Sequence, residues 1–316
     1  MSHEVETMAF RHEVPWHGLG NQLTQDATPF EMMQEAGCDW LVEKRPIGYK
    51  HSSGNIQKIT GKNALIRASD ERFFSIVGDN WKPVQNSQIF EVFNKFCVEG
   101  GATMETAGAL QGGKLVWALA NLNKAFVAAN GEPIKAYMLL AHKHEYGFAS
   151  IGRLTNIVVV CANTFAQSGG FKGASSFRVP HTVEFEPNWA AEQFNIMREG
   201  STEFERNVNI LTKINISTED AVRILAPVFQ PDIDPDDLVK DFDNKVNRTV
   251  LGIMKSALIG AGADLRRDTA WGLFNGVTYY ENHLAKGTKD SRLASTFMGT
   301  NNANMNKIYT KLLELQ

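Results

Sequence analysis

The chain has 316 residues, 43% of them hydrophobic and 21% charged, with a formal net charge of -3. This is an ordinary globular composition, long enough for two domains. No apolar run reaches the ~18 residues that span a bilayer, and a pI of about 6.3 excludes a surface coated in positive charge while leaving room for a local basic groove.

The N-terminus lacks the apolar core of a secretory signal. The three cysteines, Cys38, Cys97 and Cys161, lie far apart among apolar neighbours. That pattern predicts reduced core thiols in a cytoplasmic protein, with neither a disulfide framework nor a zinc site.

In chain order, Pro15-Trp16-His17-Gly18-Leu19-Gly20 predicts an irregular loop, read either as a ligand contact or as an anchor for the N-terminal arm. Residues 29–37 predict a short helix with Pro29 in its first turn and Gly37 at its end. Residues 39–47, 57–68 and 72–77 read as an antiparallel meander. Gly78 to Asn86 forms a loop containing Trp81 and Lys82, and Ser87 is placed to cap a helix over 88–99 with a broad apolar face. Trp81 is read either as a base-stacking ring or as a buried pin at the helix entrance.

Four strands follow, over 103–110, 114–122, 136–142 and 153–161, with His144-Glu145-Tyr146-Gly147 at a hairpin tip. A helix is expected from about Ala162. Residues 168–180 alternate Phe171, Lys172, Phe177 and Arg178 among Gly and Ser, which reads as a mobile loop and lacks the ending of a phosphate-cradling loop. Helices are expected over 186–213, 221–229, 238–261, 269–283 and 304–315. The aspartates between 232 and 237 lack the Gly and closing Glu of a calcium loop and read as a solvated turn and cap. The whole is therefore expected to be α+β: an antiparallel sheet domain over 1–185 and a mainly helical region over 186–316.

Several motifs together resemble a known family. Pro15 to Gly20, Gly78 to Asn86, Glu105 to Leu110, Val160-Cys161-Ala162-Asn163-Thr164 and Thr269 to Asn275 are similar to the phage/plasmid-like proteins that share a domain of unknown function. The resemblance runs over nearly the whole chain and implies a mobile-element origin. That family commonly has a His-Asp-Gly turn before the Val-Cys-Asn-Thr strand, where this chain has His142-Lys143-His144-Glu145-Tyr146-Gly147. At the level of element order alone, helix, consecutive strands and helix also resemble phage single-strand annealing proteins; fold does not fix function.

The reading adopted is a non-catalytic single-stranded DNA binding or annealing protein, oligomeric, without a cofactor or metal and away from membranes. Backbone-tracking cations and stacking rings are what such a groove requires. The candidates are Trp81, Lys82, Lys114, Lys143, Arg153, Asn163, Lys172, Arg178, Arg266 and Arg267. Two alternatives stand beside it: a factor that binds a host or phage protein, and an enzyme using Cys161 with His142, His144, Glu145 and Asn163. Cys161 lies in an apolar run, which disfavours its thiolate.

Overall fold

The computed structural model describes residues 5–11, 20–24, 27–158, 163–166, 176–199, 201–259 and 262–316. Pro15 to Leu19 of the first motif, Cys161 and Lys172 lie outside the described residues. The first half of the chain gives β1 (Val5–Phe10), β2 (Asn21–Gln22), α1 (Pro29–Glu35), β3 (Val42–Lys50), β4 (Ile56–Arg67), β5 (Phe73–Gly78), α2 (Asn86–Gly100), β6 (Thr103–Leu110), β7 (Leu115–Val127), β8 (Pro133–Lys143), β9 (Ala149–Val158), β10 (Asn163–Ala166) and β11 (Ser176–Pro180). The second gives α3 (Pro187–Glu199), α4 (Ser201–Leu211), α5 (Thr218–Phe229), α6 (Pro235–Lys240), α7 (Phe242–Lys245), α8 (Arg248–Ala257), α9 (Ala263–Arg266), α10 (Ala270–Tyr279), a π turn (Tyr280–Leu284), α11 (Lys289–Met298) and α12 (Thr300–Leu313).

The fold is α+β. The larger sheet has the order β10-β9-β8-β7-β6-β1-β2, with β11 also beside β9, and β3-β4-β5 form a second sheet. The larger sheet is mixed, because β1 and β2 pair in parallel while β1 with β6, β6 with β7 and β9 with β10 are antiparallel.

Three expectations are corrected. Asn163 opens a strand, not a helix: Asn163 to Ala166 pair with Val158 to Thr155, and the Thr-Phe content suits a pleated surface. Part of the expected loop, Ser176–Pro180, is β11. The helix expected over 238–261 is three shorter ones. Asn247 interrupts it: its Oδ1 accepts from Val250 N–H at 2.9 Å as the cap of α8, while its Nδ2 donates to the Phe229 carbonyl at 2.9 Å.

The chain forms two compact units. Unit 1 takes Met1–Leu122, Met138–Arg153 and Phe177–Ile196; unit 2 takes Asn123–Tyr137, Leu154–Ser176 and Met197–Gln316. They interleave because β7, β8 and β9 each begin in one unit and finish in the other. No single cut near 185 divides them. In unit 1, Phe90, Phe93 and Phe96 of α2 are fully buried, and Phe93 and Phe96 meet Phe194 of α3 at 5.5 and 5.3 Å between ring centroids. In unit 2 the core gathers Phe204, Trp271, Phe274 and Tyr309. Each such side chain contributes about 1.5–3 kcal/mol on burial.

Candidate nucleic-acid interface

The end of β8 and the hairpin tip read His142-Lys143-His144-Glu145. A strand alternates its side chains between two faces. Both histidines therefore turn inward and are fully buried, while Lys143 and Glu145 turn out.

The inward pair belongs to a chain of hydrogen bonds whose direction can be derived. Asn86 must present its amide nitrogen to the Cys38 carbonyl, at 2.9 Å, because a carbonyl cannot donate. Its Oδ1 then accepts from His144 Nε2–H at 3.0 Å. His144 Nδ1 accepts from His142 Nε2–H at 3.0 Å, and His142 Nδ1 accepts from the Ser150 hydroxyl at 2.8 Å. Both imidazoles are held as the Nε2–H tautomer.

Burial pushes His142 well below the ordinary histidine value, with the neighbouring histidines adding to it, and burial then His181 bring His144 to about 3. His144 lies between the Trp40 ring at 5.3 Å and the Phe74 ring, stacked at 5.5 Å. The nearby Cys38 thiol is pushed up to about 12, chiefly by burial, so it is no nucleophile. Among the described residues no three His, Cys, Asp or Glu side chains come together as metal ligands.

The outward pair faces an open cleft of about 730 Å³ lined by Glu6, Arg72, Gln111, Gly112, Lys114, Lys143 and Glu145. Its floor is the β6–β7 turn, where Gln111, Gly112 and Gly113 have φ of 55, 66 and 86°. Gly112 lies against the Arg72 guanidinium, and its φ of 66° is the left-handed conformation that favours glycine. Glu6 holds Arg72 at 3.1 Å and Arg67 at 2.8 Å; Arg67 is also paired with Asp70 at 2.6 Å. The His144 amide donates to the Lys114 carbonyl at 2.7 Å, which fastens the tip to the start of β7. Glu145 then sits between two ammonium groups, 2.5 Å from Lys143 and 4.0 Å from Lys114.

Aromatic surface stands beside these charges. Lys143 Nζ lies 3.9 Å from the Phe148 ring centroid. Tyr146 is 69% exposed, and its amide is held by the Ser75 hydroxyl at 3.2 Å.

Of the residues expected from sequence, the structure brings Lys114 and Lys143 together. Trp81 is buried, its ring stacked on His181 with centroids 4.0 Å apart, and Lys82 beside it is exposed, 3.6 Å from Glu184. Arg153 is partly buried on β9; burial first, and then the charge of exposed Arg178, lower it to about 10, which leaves it cationic at neutral pH. Arg266 is buried and hydrogen-bonded to Glu132. Arg267 is exposed and pairs with Asp264 at 3.4 Å. Asn163 is the first residue of β10. Sequence reasoning missed Arg72, Tyr146 and Phe148. Arg72 follows a predicted turn, Tyr146 lies in the predicted hairpin tip and Phe148 just after it, so their exposure was legible but their convergence was not.

A family model described as a domain of unknown function, DUF932, matches residues 73–308, well over half of the chain. The chain belongs to this family. The DUF932 match begins at the first residue of β5, so it includes Lys114, Lys143, Glu145, Asn86, His142, His144 and Ser150 and omits Glu6, Cys38, Arg72 and the β3–β4 hairpin. Comparisons with curated proteins and with solved structures give no match. Among the described residues no helix is long and apolar enough to cross a membrane.

Proposed function

We propose that the protein binds single-stranded DNA, without catalysis, across the cleft of Arg72, Lys114 and Lys143, in recombination or replication of a mobile element. The observation that carries this reading is convergence. Three cations from the β6–β7 turn, β8 and the turn before β5 open onto one cleft, with the exposed Tyr146 ring and the Phe148 ring at the tip. Cations take the phosphates and position the strand, and a ring takes a base without regard to sequence. Glu145 already occupies the space between the two lysines, so phosphate displaces a carboxylate when it binds.

The test is fluorescence anisotropy with a labelled oligonucleotide at about 50 and about 200 mM salt. Binding should weaken steeply with salt. The double variant Lys114→Ala/Lys143→Ala should lower the log–log salt slope by about 1.4, at about 0.7 per phosphate on a single strand. Tyr146→Ala should weaken binding by about 1–3 kcal/mol with the slope unchanged. Absence of binding at the lower salt sinks the proposal.

A further inference from the structure

The β3–β4 hairpin has a feature that the cleft does not use. β5 pairs with β4 only from Lys62 to Ile66, so beyond that point β3 and β4 stand as two strands alone. The register shifts between Pro46 and Gly48, and a short ladder follows: Gly48 opposite Lys58, Tyr49 opposite Gln57, Lys50 opposite Ile56. The tip closes by His51 N–H to the Asn55 carbonyl at 2.7 Å and Gly54 N–H to the His51 carbonyl at 2.8 Å. Every residue from Gly48 to Lys62 is exposed, with Ile56 at 81% and Tyr49 at 52%.

Two-stranded hairpins are marginal in water unless an apolar face is covered, and here nothing among the described residues covers Ile56. The charge of the segment is one-sided. Between Glu43 and Asp70 the sequence contains no Asp or Glu, in a chain whose net charge is -3. The arm carries Lys50, Lys58 and Lys62, none of which meets a carboxylate among the described residues. Residues directly opposite one another share a face, as do residues two apart. Lys50, Ile56 and Lys58 therefore lie on one face of the arm.

We infer that this hairpin is an arm that enters a groove of duplex DNA, with its lysines on phosphates and Ile56 against the bases. Two strands about 4.8 Å apart, with side chains, suit the ~12 Å major groove of B-form DNA, which admits a two-stranded ribbon. The deep, narrow major groove of A-form RNA does not. None of these residues lines the cleft, so the inference stands apart from the single-strand reading.

The experiment compares a labelled DNA duplex, the matching RNA duplex and a single strand on the full chain at about 50 and about 200 mM salt. The wild type should bind the DNA duplex. Lys50→Ala/Lys58→Ala/Lys62→Ala should lower its salt slope by about 2.7, at about 0.9 per phosphate, while single-strand binding stays unchanged. The corresponding triple Lys→Arg variant should keep duplex binding, and Ile56→Ser should weaken it without changing the slope. The cleft variant Lys114→Ala/Lys143→Ala should leave duplex binding intact, which separates failure of the arm from failure of the cleft. Because the arm residues are exposed, the variants should melt with the wild type. The inference is overturned if the duplex is not bound at the lower salt, if the triple Ala variant binds it unchanged, if that variant loses single strand and duplex alike, or if RNA duplex binds as well as DNA.

Discussion

The two units bury polar chemistry in opposite ways. Unit 1 encloses a neutral chain, Ser150 to His142 to His144 to Asn86 to the Cys38 carbonyl. Unit 2 encloses an ion pair: Glu132 and Arg266 are both buried, and the Trp271 indole donates to the second Glu132 oxygen at 2.7 Å. A neutral chain avoids the cost of desolvating a charge but fails once a proton is forced onto it. An ion pair tolerates moderate acid but fails once either partner is removed. Unit 1 should therefore be sensitive to acid and unit 2 to mutation.

The largest expected effect is in unit 2. Glu132→Ala leaves Arg266 buried without its carboxylate and should cost about 3–5 kcal/mol, read as a shift of the urea midpoint. Replacing both partners, Glu132→Leu with Arg266→Met, should recover most of the loss, because an apolar pair of similar volume avoids the desolvation cost. A single variant as stable as the wild type would remove the ion pair from the comparison.

Acid is the matching test of unit 1. His142 and His144 are held below their unfolded value of about 6.5, mainly by burial. A depressed histidine contributes stability above the unfolded pKa and loses it as pH falls towards the folded one. Between about pH 6.5 and, for His144, about 3, the unfolded chain binds protons that the folded chain refuses. His144 should remove about 2 kcal/mol by about pH 5, rising to about 1.4 kcal/mol per further pH unit, and His142 acts in the same direction. Urea titrations across this range measure it, and a flat profile between pH 7 and pH 5 contradicts the neutral chain. Asn86→Asp sharpens the point: a carboxylate beside His144 Nε2–H favours the imidazolium, so the His144 resonance should titrate at higher pH in that variant.

These contrasts were only partly legible in the sequence. Strands β3 to β9 announced themselves through β-branched runs and turn residues, which act locally. Partners did not, because they are chosen over long separations. Arg266 follows Glu132 by 134 positions, and from sequence it read as a free phosphate contact. Trp81 read as a stacking ring or, more readily, as a buried pin, and it is the cluster of Val42, Leu65, Phe74 and Val77, with His181 stacked on it from a hundred positions away, that puts it in the core. β1 carries neither a long apolar run nor a turn signal, yet it pairs with β6 through Phe10 opposite Thr106. His142-Lys143-His144-Glu145 did hold its own answer: the two-residue alternation of β8, carried two residues past its end at Lys143, separates a buried pair from a cleft-facing pair.

The smallest expected effect gives the cleanest test of whether the units differ in more than chemistry. Each has the same local device at a helix start. In unit 1 the Thr28 hydroxyl accepts from Glu31 N–H at 3.2 Å while the Glu31 carboxylate receives Thr28 N–H at 2.7 Å. In unit 2 the Ser217 hydroxyl accepts from Asp220 N–H at 3.1 Å while Asp220 receives Ser217 N–H at 3.2 Å. Thr28→Ala and Ser217→Ala should each cost about 1 kcal/mol and leave both kinds of nucleic-acid binding unchanged. β7, β8 and β9 run through both units, so one cooperative transition is expected, and both variants should move it equally in a thermal melt. Two transitions, each shifted by only one variant, would show units that unfold separately. The acid and ion-pair effects would then belong to different transitions, with acid lowering the first and Glu132→Ala the second.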